Sequence, residues 1–257
     1  MSHADLSGVL VRIDRAKTHL NDFDIQASPI IRACQDGITR ERDEQRSEYI
    51  FRLGPVPIIQ PVMSAILGDA IHNLRVALDY LAWQLVLATG KEPPNENTSF
   101  PILITSPTPN RYGRVRLNIS PGISKDAGRI LDEVQPYKRT KPAHHDLAVL
   151  DKLDIRDKHH ELLVAIIGVK SPSIGWFGDF ELTAFNAGPY QDGSHVCRFA
   201  YSDANSEIEF NPHISFAIRL DEPAAGPWRH MLGAADLVRR PLRYIEDEVL
   251  PRFRCFF

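Results

Sequence analysis

Histidine, arginine and aspartate are set into two segments that otherwise read as core. These are GDAIHNLRVALDYLAWQLVLATG at 68–90 and DLAVLDKLDIRDKHHELLVAIIG at 146–168. The first carries Asp69, His72, Arg75 and Asp79, and the second Arg156, Asp157, Lys158, His159 and His160. An ionisable group on a core-building segment costs free energy to bury unless it pairs, so such a set marks either a site or a structural ion-pair network. Arginine presents a planar, permanently charged fork to phosphate or carboxylate, and histidine moves protons near neutrality. In combination they suit the binding of an anion and acid–base work upon it.

Spacing assigns these groups to faces. On a helix, Ile71, Leu74, Leu78, Leu81, Ala82 and Leu85 share one apolar side, with Asp69, His72, Arg75 and Asp79 clustered opposite at steps of three and four. Val76, Trp83, Val86 and Leu87 lie on that polar side too, which argues for enclosure rather than a solvated face. Asn73 and Tyr80 flank the quartet. In the second segment, Asp151, Asp154, Lys158 and Glu161 read as a solvated side, while Arg156 and His160 fall among Val149, Leu153 and Leu163, with His159 at the edge of that stripe. A buried arginine cannot shed its proton, and Asp69 and Asp79 are its expected partners once the two helices pack.

Arg156, His159 and His160 are therefore the candidate catalytic groups. Asp69, His72, Asn73, Arg75, Asp79 and Lys158 are the candidate ligand contacts. A register-fixing buried ion pair explains the same residues without any ligand, and both readings stand at this point. A metal site drawn from His72, His159 and nearby carboxylates is a third, weaker reading, because no HExxH-like spacing occurs and no metal or other cofactor is expected. GxGxxG, GxxxxGK[ST] and GxSxG are also missing, which removes the common nucleotide and α/β-hydrolase readings.

The elements that must position these groups follow from period and punctuation. A helix is predicted over 4–24, ended before Pro29, with short strands at Ile30–Ala33 and Tyr49–Leu53 about a charged turn. Helices at about 62–89 and 145–160 carry the two signatures, with Gly90 as C-terminal cap of the first. The stretch 91–121 is proline-rich with one short strand at Phe100–Ile104, and Ser124 caps a helix to Val134. From 162 to 220 the period falls to two, predicting a meander of strands at 162–169, 177–185, 195–201 and 207–220. A closing helix spans about 228–249, ended by Pro251. The expected class is α+β, a single domain over 1–257: a helical layer around two long central helices (1–160 with a small hairpin), a mostly antiparallel sheet, and the closing helix.

Composition narrows the partners. Thirty Lys and Arg against thirty-three Asp and Glu leave a net charge of −3, which does not indicate wholesale binding to nucleic acid or acidic membrane. The three cysteines are far apart, which fits a reducing cytoplasm, and no apolar run is long enough to span a bilayer. Arg229, Arg239, Arg240, Arg243, Arg252 and Arg254 read as mixed surface charge, with a phosphate-contacting patch as the sharper alternative. Phe253, Phe256 and Phe257 are apolar enough to dock on the body or on a second copy in a homodimer.

The pattern HNLRVALDYLAW, followed by LDKLDIRDKHHELL, resembles a group of uncharacterised bacterial proteins with a helix like HNLRxALDxLA and a later DKHR-like segment. The likeness covers roughly 60–170 and implies no named activity. A more distant likeness is to the HEPN helical superfamily, many of whose members are metal-independent ribonucleases with an arginine and a histidine on one helix. It implies Arg156 as the phosphate-stabilising group and His159 or His160 as the acid–base group, with RNA or an anionic small molecule as the partner. The spacing here is tighter than in that superfamily, and the β-rich second half is an addition to it.

Overall fold

The structure, a computed structural model, describes residues 4–91, 98–107, 122–160, 162, 164–169, 180–186, 188–202, 215–230 and 232–257. Helices, a four-stranded antiparallel sheet and a separate two-stranded ribbon make it α+β. The amino-terminal part is a helical pair. Along α1 (Ser7–Asp36), Val9, Ile13, Ala16, Leu20, Phe23 and Ala27 are buried at alternating steps of four and three, which keeps one seam facing a partner. α2 (Pro61–Leu87) answers with Met63, Leu67, Ala70, Leu74, Ala77 and Leu81 at the same steps. The pair is antiparallel: Asp5 N donates to Gln84 Oε1 at 3.0 Å, and Arg12 Nη1 reaches Asn73 Oδ1 at 3.3 Å.

The strand predicted at Ile30–Ala33 is instead the continuation of α1 through Pro29. That proline removes the bond to the carbonyl of Ile25, an exposed residue whose oxygen water can serve. Beyond it, Cys34 is fully buried and Ile30 and Ile31 pack on the core. This burial outweighs a local penalty of roughly 3 kcal/mol. The hairpin forms further along, from β1 (Ile38–Asp43) and β2 (Glu48–Leu53).

Strand positions agree with the period-two reading, and the middle two strands pair antiparallel as a meander requires, but the outer pairings differ. β4 (Phe180–Phe185) and β5 (His195–Tyr201) join the early hairpin in the order β1-β2-β5-β4, all antiparallel. β3 (Val164–Val169) pairs, among the described strands, only with β6 (Ser215–Leu220). The expected meander is thus split, because β5 finds its apolar partners in β2: Phe51 and Phe199 meet edge to face at 5.9 Å, and Tyr49 and Tyr201 lie at 5.1 Å. Residues 98–107 are irregular where a strand was expected at Phe100–Ile104. Strand residues proposed at 177–179 and 207–214 lie outside the described residues.

α3 (Lys125–Glu133) opens as expected, with Ser124 Oγ accepting from Ala127 N at 3.1 Å. α4 (Asp146–His159) matches its predicted span within one residue. The closing helix starts later than expected, as α5 (Ala234–Tyr244), and passes the proline meant to end it. A wider π turn at Ile245–Val249, in which Leu250 N–H bonds back to Ile245 O, leads into α6 (Leu250–Phe253). Phe253 is fully buried in the chain's own core. None of the described helices is long and apolar enough to cross a membrane.

Two connections position α4. Leu147, Leu150 and Leu153 bury one arc of it, and α2 packs there. At its other end, β3 begins a few residues after His159, and the register Val164↔Leu220 brings the chain just beyond β6 back beside the end of α4. At α2 the approach is close: a Cβ built on Gly68 would lie 2.6 Å from Asp157 Cγ. Gly68→Ala should therefore be neutral or destabilising in the wild-type protein, against the ordinary helix gain of about 1 kcal/mol. In an Asp157→Ala background the same change should stabilise by up to about 1 kcal/mol in urea denaturation. Equal effects in both backgrounds would remove this contact as a determinant of the packing.

Candidate functional site

Asp154 occupies a core position of α4, one helical step on from Leu150, and is 2% exposed. Its carboxylate takes two partners: His72 Nδ1 lies 3.1 Å from Oδ1, and Lys158 Nζ lies 2.6 Å from Oδ2. Both partner side chains are half exposed. A carboxylate facing Nδ1 favours the tautomer with the proton there, leaving the lone pair on Nε2. This is the geometry that orients a general base.

Further along the same seam, Arg75 Nη2 donates to Phe100 O at 3.0 Å and pairs with Asp79 Oδ1 at 3.1 Å, and Arg75 Nε lies 3.6 Å from Asp151 Oδ1. Asp79 in turn accepts from Phe100 N at 2.9 Å. The Arg75–Asp79 pair therefore holds both backbone groups of Phe100, whose ring is fully buried. These two residues fix the chain that follows α2. Asn73, placed with the ligand contacts by sequence, instead faces α1, donating to Asp69 O at 2.8 Å and accepting from Arg12. Asp69 is exposed at the seam's edge, beside Asp157.

The seam is acidic. Asp69, Asp79, Asp151, Asp154 and Asp157 outnumber its fixed cations, Arg75 and Lys158. Burial pushes the carboxyls of Asp79, Asp151 and Asp157 above the usual range. Arg75 opposes this at Asp79 and Asp151, whereas the charges of Asp154 and Asp69 add to it at Asp157. Such a field repels phosphate.

Arg156, His159 and His160 lie elsewhere, on the side of α4 turned away from Asp154. With Lys152 and Ile155 they line a depression of about 410 Å³ that also touches Ala224. The partner of Arg156 is neither Asp69 nor Asp79. Arg156 Nε donates to Glu222 Oε2 at 3.1 Å, and Glu222 is fully buried. The face assignment from sequence holds only in part: Val149 and Leu153 are buried as expected, but the side read as solvated meets α2 through Asp151 and Asp154, and His159 and His160 are exposed. Leu147, Leu150 and Asp154, at steps of three and four, were the available signal for the true buried arc. Glu222 gave no local signal, since it lies 66 residues from Arg156 in sequence.

The separation of His72 from His159 leaves the mixed metal set unassembled, and no group of three or more His, Cys, Asp or Glu among the described residues is arranged to hold a metal ion. Glu161 and Leu163 lie outside the described residues. Comparison with protein-family models, curated proteins and solved structures finds no match to the chain.

The raised carboxyls give a pH dependence with a definite sign. A carboxyl whose folded value exceeds its unfolded value, near 3.8, binds its proton more tightly when folded. Its charged form opposes folding at neutral pH, and that penalty fades as pH falls through the raised value. Asp157→Asn should raise the urea midpoint at pH 7, with the gain shrinking towards pH 4. A gain that does not vary with pH would show that repulsion at Asp157 is not its source.

Proposed function

We propose that the protein binds a phosphate-bearing anion on the α4 face formed by Lys152, Arg156, His159 and His160, and that the ligand is RNA. The observation that carries this reading is the setting of Arg156. Glu222 holds its Nε, while neither Nη nitrogen has a hydrogen-bond partner among the described residues. A guanidinium anchored through one edge and open along the other can grip phosphate oxygens in pairs. Lys152 adds a second cation to the same depression, and two histidines border it. The likeness to HEPN ribonucleases supports RNA as the ligand, the likeness to the group of bacterial proteins supports a bacterial origin, and the widely spaced cysteines fit a reducing cytoplasm.

In its enzymatic form the reaction is metal-independent cleavage. A ribose 2′-hydroxyl attacks the adjacent phosphorus as His159 or His160 takes its proton, a histidine returns a proton to the departing 5′-oxygen, and Arg156 stabilises the charge gathered on the phosphate. Labelled single-stranded RNA in fluorescence anisotropy at low salt tests the binding. Arg156→Lys, which keeps a charge against Glu222 but loses the fork, should weaken it about tenfold. His159→Ala with His160→Ala should abolish cleavage while sparing affinity. Full cleavage by that double variant would sink the catalytic assignment, and lack of RNA binding by the wild-type protein would sink the whole reading.

A second reading has its own observation: Glu222 is buried, so Arg156 already serves a structural need. Arg156→Met alone should destabilise by about 3 kcal/mol, because it takes a cationic partner from a buried carboxylate. Arg156→Met combined with Glu222→Leu should recover wild-type stability or exceed it. If that pair variant also binds RNA like the wild type, the residues form a lock and not a ligand site.

A further inference from the structure

The opposite end of α4 carries a larger cavity, about 620 Å³, bordered by Arg139, Lys141, His144, His145, Asp146 and Arg240. Its groups come from three places: the segment between two short 3₁₀ turns (Pro136–Lys138 and Pro142–His144), the start of α4, and α5. Arg240 Nε donates to Asp146 Oδ1 at 2.9 Å, which offsets the only carboxylate among the described lining residues. Arg139 and Lys141 are exposed, and their side chains have no hydrogen-bond or ion-pair partner among the described residues. The described lining is left with two fixed positive charges in surplus.

His145 adds directionality. Its Nδ1 accepts from Leu147 N at 3.2 Å, so the neutral ring carries its proton on Nε2. The ring stands edge-on to Tyr244 at 4.6 Å, which fixes its plane. Burial holds His145 below the usual histidine range; the charge of Asp146 works against this, and that of Arg139 with it. A dianion placed between them would act in the opposite sense and favour the imidazolium.

We propose that this cavity is an anion site for a phosphate dianion, free or carried on a small monoester, with Arg139 and Lys141 as its charged contacts and His145 Nε2 as a donor. It is independent of the Arg156 site, since His145, the N-cap of α4, and Arg156 are separated by roughly 16 Å at 1.5 Å per residue.

Histidine and amide NMR signals, followed at constant ionic strength while chloride is exchanged for inorganic phosphate, test it. A nucleoside 5′-monophosphate and the unphosphorylated nucleoside form the second and third arms. The expected result is saturable shifts at His144 and His145, an upward movement of the His145 titration midpoint, and at least tenfold weaker binding in Arg139→Ala/Lys141→Ala. The nucleoside alone should not bind, and tighter binding of the monophosphate than of phosphate would identify an ester as the ligand. Arg156→Lys should leave these shifts unchanged. Lack of saturation, full affinity in Arg139→Ala/Lys141→Ala, or loss of the shifts in Arg156→Lys would each overturn the proposal. Both replaced side chains are exposed, and a thermal melt of the variant checks that its fold is kept.

Discussion

Burial of Asp154 sets the terms on which α2 and α4 can meet. An unpaired carboxylate among Leu147, Leu150 and Leu153 would cost several kcal/mol, so cations must reach it from both helices. His72 and Lys158 do so, and each keeps half of its side chain in solvent. Exposure weakens each pair through screening, yet the carboxylate itself is dry, which makes removal of a partner more costly than any surface ion pair. Arg75 extends the same network towards Asp151 and Asp79 and ties Phe100 to it through both of that residue's backbone groups. One charge buried on α4 thus reaches the path of the chain after α2.

Much of this frame was legible in the sequence. α2, α3, α4 and β5 lie within about a residue or two of the positions that period and capping indicate, because each is bounded by local signals such as Pro61, Ser124 or Gly193. What failed was non-local. Pro29 looked like a stop because the packing that carries α1 past it, around Cys34, comes from the sheet. The meander was the simplest pairing of consecutive strands. Only the aromatic residues of β2 and β5, some 150 positions apart, select the observed order.

The candidate site divides along the same line. Residues close in sequence were correctly grouped: Arg75 with Asp79, and Arg156 with His159 and His160. Pairings between elements were not, since Arg156 meets Glu222 and His72 meets Asp154. The period of α4 misled for a physical reason. Its polar and apolar residues do not separate cleanly, so a helix with Asp154 in its buried arc and His160 outside resembles one turned half around.

That ambiguity has a functional consequence. A helix that places most of its carboxylates towards α2 leaves its opposite side with Lys152, Arg156 and the histidines. The fold thereby separates an acidic seam from a basic depression across the width of one helix. His72, oriented as a base by Asp154, faces a field of five carboxylates and so suits a cation or a neutral group better than a phosphate. Arg156 is raised out of that field by topology: the β3–β6 register delivers Glu222 to the far side of α4, where it holds the guanidinium by one edge. On the proposed reading an anion binds on the Glu222 side of α4, because the carboxylates on the side facing α2 oppose the same charge there.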